Sequence, residues 1–195
     1  MNFAEYNVKD ANLEEILLAL KSLDTVEAVA LGGSRSTGAS DENSDYDIYI
    51  YCAEIPTAET RENLLGKYCS IAEFGNHYWE SEDNTVMNNG IPVDIIYREV
   101  DRFGRYIDTV IKGGKAFNGY TTAFWHNIKN SKVLFDKTGT FTKFRDMAQI
   151  DFPENLRSAI IKNNRNLLNG KLPSYDRQIK KAQGCGDIVS VNHRI

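Results

Sequence analysis

Asp45 and Asp47 flank Tyr46 where an apolar, β-branched and aromatic segment begins, DYDIYIYCA. Such a segment is typical of a β-strand, and side chains two residues apart on a strand project from the same face. The two carboxylates are therefore expected on one face, with Cβ atoms about 6–7 Å apart. They repel each other unless water hydrates both or a cation lies between them, and Mg²⁺ binds carboxylate oxygens together with phosphate oxygens.

The residues before this strand form a glycine- and serine-rich turn, GGSRSTG, which follows an apolar run over 26–31. Glycines let the backbone approach a phosphate closely, and serine hydroxyls add hydrogen-bond donors. Taken alone, the turn is also compatible with a connection that binds no ligand, and it lacks the GxxxxGK[ST] pattern of a Walker A loop. Together, turn and aspartates place phosphate donors beside metal ligands, the combination that phosphoryl and nucleotidyl transfer require.

A third carboxylate, Asp94, lies in the segment IPVDIIYRE, where strand alternation puts Val93 and Ile95 on one face and Asp94 on the other. An acid within an apolar strand is costly unless it is paired or binds a metal, and its alternative is an exposed, hydrated acid. Asp94 is therefore a candidate to join the two earlier aspartates, as a further metal ligand or as the general base near the attacking hydroxyl.

The stretch GGSRSTGASDENSDYDIYIY resembles the signature of the DNA polymerase β-like nucleotidyltransferase superfamily, hGG[ST]…[DE]h[DE]h, where h is apolar. Among its members, the small bacterial nucleotidyltransferases, including antibiotic-modifying enzymes, are the nearest branch. The resemblance is strong over 26–52, consistent over 10–100 and weak in the C-terminal part. It implies a two-metal mechanism that uses a third carboxylate on a later strand.

The resemblance also implies a role for each residue of the motif. Gly33 and Ser34 would contact the β- and γ-phosphates of a nucleoside triphosphate. Arg35 would add positive charge near the phosphates, with a solvated arginine as the alternative. Asp45 and Asp47 would bind both of two Mg²⁺ ions, and Asp94 would hold the catalytic ion. All three aspartates would be catalytic residues.

The activity implied is metal-dependent transfer of a nucleoside monophosphate, with AMP from ATP as the expected group. The acceptor would be a hydroxyl of a small molecule such as an antibiotic, or of a protein, and pyrophosphate would be released. An acidic chain suits a cationic drug, which makes antibiotic resistance one expected role. The alternative is a catalytically silent nucleotide-binding or antitoxin-like interaction module of the same fold, and the three retained aspartates favour the enzyme.

Composition narrows the possible partners and location. The 195-residue chain has a formal net charge of −4, which argues against bulk nucleic-acid binding through many Lys and Arg contacts. No run approaches the roughly 18 apolar residues of a membrane span. Three cysteines without a CxxC motif argue against a disulfide framework or zinc site and favour the cytoplasm. A homodimer is compatible with the sequence, although no pattern specifies it.

The periodic segments predict an α+β fold: a small mixed β-sheet of about five strands with helices packed on one face, followed by an all-helical segment. We assign 1–139 to a nucleotidyltransferase catalytic domain and 140–195 to a helical C-terminal domain. The end, DIVSVNHRI, reads as the start of another helix, so we expect the natural chain to continue past Ile195. The predicted strands cover 26–31, 45–53, 77–81, 91–99 and 132–139, and the predicted helices 10–22, 57–71, 101–114, 121–130, 140–149, 154–168 and 174–183.

Overall fold

Strands and helices alternate along most of the chain in the computed structural model, which describes residues 10–41, 44–117, 121–169 and 174–192. The strands are β1 (Val26–Leu31), β2 (Tyr46–Cys52), β3 (Cys69–Asn76), β4 (Ser81–Met87), β5 (Pro92–Glu99) and β6 (Lys132–Asp136). The helices are α1 (Ala11–Lys21), α2 (Gly33–Thr37), α3 (Ala58–Leu65), α4 (Val100–Ile111), α5 (Ala123–Asn130), α6 (Thr140–Ala148), α7 (Glu154–Asn169), α8 (Tyr175–Gly184) and α9 (Ile188–Asn192).

The six strands form one mixed sheet in the order β3-β4-β5-β2-β1-β6. Only the central pair, β2 and β5, is parallel, whereas every other neighbouring pair is antiparallel. The mixed sheet and the helical C-terminal part confirm the predicted α+β class, with six strands where about five were expected.

One face of the sheet covers an aliphatic core that includes α1. This helix begins after Asp10, whose carboxylate accepts hydrogen bonds from the backbone N–H groups of Asn12 and Leu13 at 3.0 and 3.2 Å. Ile48 of β2 belongs to the same core, so the alternate residue Asp47 projects from the opposite face of the sheet. The core-facing residues of α1 recur at helical spacing: Leu13, Ile16, Leu17 and Leu20.

An aromatic cluster packs on the opposite face, near the end of β2. The Tyr51 ring lies 5.4 Å from Phe103 of α4, and 5.2 and 5.9 Å from Phe141 and Phe144 of α6, measured between ring centroids. The Phe103 and Phe141 rings meet Tyr51 edge-on, an arrangement that aromatic quadrupoles favour. The cluster therefore holds α4 and α6 on the sheet face from which Asp47 also projects, so helices pack on both faces of the sheet and not on one face as expected.

Two predictions about the middle of the chain are wrong. The helix predicted over 57–71 ends at Leu65, and β3 begins shortly afterwards, because antiparallel pairing with β4 overrides the local helical pattern. The strand predicted over 77–81 is mostly the connection between β3 and β4. Its aromatic residues Tyr78 and Trp79 are 69% and 81% exposed, so they supply no core packing that would favour a strand there.

The chain divides into two compact units. The first comprises Met1–Ile107 and Ala123–Gln149, and the second comprises Asp108–Thr122 and Ile150–Ile195. The first unit contains the whole sheet, and the second contains α7, α8 and α9. A domain boundary between residues 139 and 140 stays a prediction.

Within the second unit, the side-chain amide of Asn163 on α7 donates a hydrogen bond of 3.1 Å to the carbonyl of Ala116. This bond ties α7 to the segment that follows α4. Among the described residues, no helix combines the length and apolar character needed to cross a membrane. The expected continuation past Ile195 lies outside the described residues.

Candidate active site

Asp47 and Asp94 lie directly opposite each other on the parallel strands β2 and β5. Both side chains project from the sheet face opposite α1, and both are half-buried. Asp45, which immediately precedes β2, is exposed and lies two residues before Asp47. The structure therefore brings the three aspartates selected from the sequence to the same end of the two central strands, where both strands begin.

Negative charge is concentrated at this end of the two strands. Burial raises the pKa of Asp47 above its usual value, and the neighbouring charges of Asp45 and Asp94 raise it further. Glu82 of β4 belongs to the same group of acids. Burial raises the pKa of Glu82, and the charge of Asp94 raises it further. A divalent cation bound here would relieve this repulsion because it attracts every carboxylate in the group.

An amide chain leads to Asp94 from the edge of the sheet. The side-chain amide of Asn84 donates a hydrogen bond of 2.9 Å to Oδ1 of Asp94, and Asn76 donates one of 2.8 Å to Oδ1 of Asn84. These three side chains follow one another across β3, β4 and β5. The chain fixes the orientation of the Asp94 carboxylate and occupies one of its two oxygens.

The donor set fits a metal ion that is shared with a substrate. Within the described ranges, no group of three or more His, Cys, Asp or Glu side chains is arranged to hold a metal ion by itself. Mg²⁺ is usually bound through one or two carboxylates together with substrate phosphates and water. Asp47 and Asp94 provide the two carboxylates, so the remaining ligands would come from a phosphorylated substrate and solvent.

The backbone of the glycine turn lies directly against Asp47. Gly33 has a φ of +60°, and a Cβ atom placed on it would lie 1.7 Å from Oδ2 of Asp47. The backbone N–H of Gly32 donates a hydrogen bond of 2.8 Å to the carbonyl of Asp47. A residue with a side chain at position 33 would therefore displace the aspartate, and glycine permits the close approach.

Arg35 supports the segment that carries Asp45. Its Nε atom donates to the carbonyls of Ser44 and Asp45 at 2.9 and 3.0 Å, and Nη2 also donates to Ser44. The guanidinium stacks over the Tyr46 ring, 4.0 Å from its centroid. These contacts give Arg35 a structural role at the site, and a contact between Arg35 and phosphate stays a prediction.

An ion pair between a buried arginine and a partly exposed glutamate lies further along the same face. Arg98 of β5 is 4% exposed, and it donates to both carboxylate oxygens of Glu80 at 2.8 and 2.7 Å. It also donates to the Tyr51 hydroxyl at 3.1 Å, and its guanidinium lies 4.4 Å from the centroid of the Tyr49 ring. Arg98 thereby joins the β3–β4 connection to the side chains next to Asp47.

Sequence reasoning missed Asn84 and the pair formed by Arg98 and Glu80. Arg98 stands four residues after Asp94 in an apolar segment, so the alternation that selected Asp94 was also a usable signal for Arg98. Asn84 carried no comparable signal, because β4 itself was not predicted.

Comparison with known proteins identifies the family. A family model described as a nucleotidyltransferase domain matches residues 13–117, which is more than half of the chain. Among solved structures, the chain is similar to Cid1 in complex with its short product ApU, with 19% identity, a TM-score of 0.39, and coverage of 54% of this chain and 33% of that chain. It is also similar to a toxin-antitoxin with AMP-PNP, with 16% identity, a TM-score of 0.41, and coverage of 92% of this chain and 98% of that chain.

The chain thus spans a third of the length of the Cid1 chain. No curated protein matches it. The family match begins within α1, continues past the end of α4, and includes the glycine turn and all three aspartates. The chain belongs to the nucleotidyltransferase domain family, which confirms the DNA polymerase β-like superfamily expected from its GGS and DYD motifs.

Proposed function

We propose that the protein is a divalent-metal-dependent nucleotidyltransferase that transfers AMP from ATP to a hydroxyl group and releases pyrophosphate. The observation that carries the proposal is the in-register pairing of Asp47 with Asp94, next to the backbone of Gly33. The family supplies the reaction class, and this arrangement supplies adjacent places for a cation and a phosphate chain.

In this proposal, two Mg²⁺ ions are held by Asp45, Asp47 and Asp94. When bound, the ions would neutralise phosphate charge and lower the pKa of the attacking hydroxyl. The acceptor oxygen forms a bond to the α-phosphorus while the bond from the α-phosphorus to the bridging oxygen breaks. The hydroxyl proton passes to a carboxylate of the Asp47 and Asp94 pair, and pyrophosphate takes the electron pair of the broken bond.

The glycine turn holds the triphosphate in this proposal. Gly33 lets the phosphate chain approach the backbone, and Ser34 donates from its hydroxyl to the β- and γ-phosphates. Arg35 contributes positive charge near the turn while its guanidinium keeps the segment before β2 in place. The carboxylates would act at the α-phosphate, whereas the donors of the glycine turn would hold the β- and γ-phosphates of the same triphosphate.

The acceptor is proposed to be a hydroxyl-bearing small molecule, such as a cationic antibiotic, or a protein. A net charge of −4 favours the cationic small molecule. The three free cysteines, Cys52, Cys69 and Cys185, are consistent with a cytoplasmic enzyme. The proposal is compatible with a homodimer and does not depend on one.

A catalytically silent nucleotide-binding module is the second candidate. Its supporting observation is the family match, because the fold and the glycine turn that the match covers would be enough to bind a nucleotide without turnover. Such a module would bind ATP without releasing pyrophosphate. Turnover measurements therefore separate the two candidates.

The deciding experiment incubates the protein with Mg²⁺, each labelled nucleoside triphosphate in turn and a panel of aminoglycoside, lincosamide and protein acceptors. We expect pyrophosphate release that falls about a thousandfold in Asp47→Asn and Asp94→Asn, since each variant loses several kcal/mol of metal-derived stabilisation. Asp101→Asn, which changes an exposed acid on α4, serves as the control and keeps full activity. Undiminished turnover in Asp47→Asn would refute the proposal, and ATP binding without pyrophosphate release on any acceptor would establish the silent module.

A further inference from the structure

The edge strand β3 contains a β-bulge immediately before Asn76. Glu73 of β3 pairs with Asn84 of β4. The next pair, Asn76 with Glu82, lies three residues further along β3 but only two residues further along β4. The extra residue is accommodated at Gly75, whose φ of +82° lies in the left-handed region that favours glycine.

The bulge decides on which face of the sheet Asn76 lies. Phe74 packs against the aliphatic core, and in a regular strand a residue two positions later would project from the same face. The extra residue reverses this alternation, so Asn76 projects from the opposite face, where it donates to Asn84 at 2.8 Å. Without the bulge, the first amide of the chain that leads to Asp94 would face the core.

A buried ion pair on the core face binds the bulge. The backbone N–H of Gly75 donates a hydrogen bond of 2.9 Å to Oδ1 of Asp83, the residue of β4 that lies opposite the bulge. Nη1 of Arg61, on α3, lies 2.9 Å from the same oxygen. Asp83 is 0% and Arg61 2% exposed. A pair buried so completely is costly unless further hydrogen bonds compensate it, and the bulge N–H supplies one.

The location of this pair links the bulge to the amide chain. Stability alone explains such a pair poorly, because apolar side chains of similar volume often stabilise a core as well. A Cβ placed on Gly75 would lie 2.9 Å from the Cβ of Ala58, so the bulge also packs closely on α3. Asp83 immediately precedes Asn84, and the two side chains occupy opposite faces of β4. A shift of the bulge on the core face would therefore move the amide chain on the other face.

We propose that Arg61 and Asp83 are positioning residues that orient the Asp94 carboxylate from the opposite face of the sheet. They hold the bulge at Gly75, and the bulge keeps the first amide of the chain on the face where Asp94 lies. The inference rests on the proposed function, in which Asp94 binds a metal ion. It deepens that function by extending the support of the site to a buried pair in the core.

Two double variants test the inference. The apolar variant, Arg61→Met with Asp83→Leu, removes the acceptor for the Gly75 N–H, whereas the amide variant, Arg61→Met with Asp83→Asn, keeps a carbonyl oxygen there. Both remove the two buried charges together, which commonly preserves a fold, and methionine can pack on the Tyr97 ring that now lies 4.4 Å from the guanidinium. We expect kcat for pyrophosphate release to fall about tenfold in the apolar variant, with a smaller change in KM for ATP, and to stay within about twofold of wild type in the amide variant.

A second measurement needs no turnover. By NMR on isotope-labelled protein, the Gly75 amide proton should exchange with solvent at least tenfold more slowly in the wild type and the amide variant than in the apolar variant. Thr85→Val is the matched control, because Thr85 is buried on the same face of β4 as Asp83 and donates to the Val93 carbonyl at 2.9 Å. It should lower the melting temperature and change neither kcat nor Gly75 exchange.

Asn84→Ala supplies the last comparison. Combined with Asn84→Ala, the apolar variant should lose no further kcat, because the chain that it supports is already broken. A second tenfold fall would overturn the inference, since the buried pair would then act by another route. Equal kcat in the two double variants would also overturn it, while the proposed function stands. A wild type that releases no pyrophosphate on any acceptor removes the proposed function, and unchanged Gly75 exchange in the apolar variant would still show that Asp83 does not hold the bulge.

Discussion

Asn84 donates a hydrogen bond of 2.9 Å to Oδ1 of Asp94, the residue directly opposite it on the neighbouring strand. Asn84 in turn accepts from Asn76 on the edge strand at 2.8 Å. The carboxylate of Asp94 is therefore oriented by two amides rather than by a charged partner. Such an arrangement orients the carboxylate without pairing it with a positively charged side chain.

The first prediction concerns Asn84. Asn84→Ala frees the Asp94 carboxylate to rotate, and we expect kcat to fall about tenfold while KM for ATP changes less, because misorientation affects the reacting geometry more than nucleotide binding. Steady-state kinetics with saturating Mg²⁺ measure the two constants. Asn88→Ala provides the matched control, since Asn88 lies just after the same strand and its amide donates to the Lys67 carbonyl away from the site. An equal fall in both variants would contradict the role given to Asn84.

The second prediction compares two glycines with positive φ. Gly33 and Gly38 have φ values of +60° and +79°, but only Gly33 approaches Asp47, whereas a Cβ on Gly38 would meet nothing within 4 Å. We expect Gly38→Ala to cost only the backbone strain of a left-handed residue, about 1–2 kcal/mol. Gly33→Ala should cost more and also abolish turnover, because Asp47 must move.

Urea unfolding and activity measurements on both glycine variants test this comparison. The difference between them isolates the overlap with Asp47, since the conformational strain is similar in both. Comparable stability and comparable turnover in the two variants would show that the loop moves aside without disturbing the site.

The third prediction concerns the pH dependence of stability. Burial and the charges of Asp45 and Asp94 raise the pKa of Asp47 in the folded protein. A carboxyl with a raised folded-state pKa contributes stability that is fully present below its unfolded pKa, about 3.9, and is lost as the pH rises through the folded pKa. Without metal, the ionised Asp47 therefore destabilises the fold at neutral pH.

Asp47→Asn should consequently melt higher than the wild type at pH 7 in EDTA. We expect a gap of about 2–4 °C, which corresponds to roughly 1 kcal/mol in a chain of this size, and a gap that narrows as the pH approaches 4. Thermal melts across this pH range give the comparison directly. A gap that stays constant with pH would show that ionisation of Asp47 is not its cause.

The fourth prediction addresses the pair of the buried Arg98 and the partly exposed Glu80. Glu80→Ala leaves the guanidinium of Arg98 buried without its carboxylate, and we expect a loss of about 2 kcal/mol, below the range for a fully buried ion pair because solvent already reaches Glu80. Asp108→Ala, which removes the exposed partner of Lys112 on α4, should cost no more than about 0.5 kcal/mol. Chemical denaturation measures both losses. Similar small values would show that solvent reaches Arg98 once Glu80 is gone.

Much of the site was readable from local patterns. The DYD motif lies at the entrance to β2, and the predicted alternation puts Ile48 in the core and Asp47 on the other face, as the structure confirms. Asp94 was selected by the same reasoning on β5. The faces of the two strands were predictable because alternation along a strand is a property of the backbone and needs no distant partner, whereas the roles of the two aspartates stay predictions.

The strands β3 and β4 escaped prediction for the opposite reason. The sequence of β4 is largely polar and half of the β3 residues are exposed, so local hydrophobic periodicity gives a weak signal. The two segments become strands by pairing with each other and, for β4, with β5. Asn84 could not be assigned a partner without that pairing. The same holds for α5, which lies beside the glycine turn only because the chain returns to it.

The amino-acid sequence by itself determined which residue types stand at the candidate site and which face of its strand each of the paired aspartates occupies, because residue type and the period of two are local. Only the tertiary structure decided that Asp47 stands opposite Asp94, since the parallel register joins strands separated by α3, β3 and β4. It also decided that Asn84 orients Asp94 and that α5 lies beside the glycine turn. Contacts between distant segments depend on how the whole sheet assembles, and no local pattern encodes that assembly.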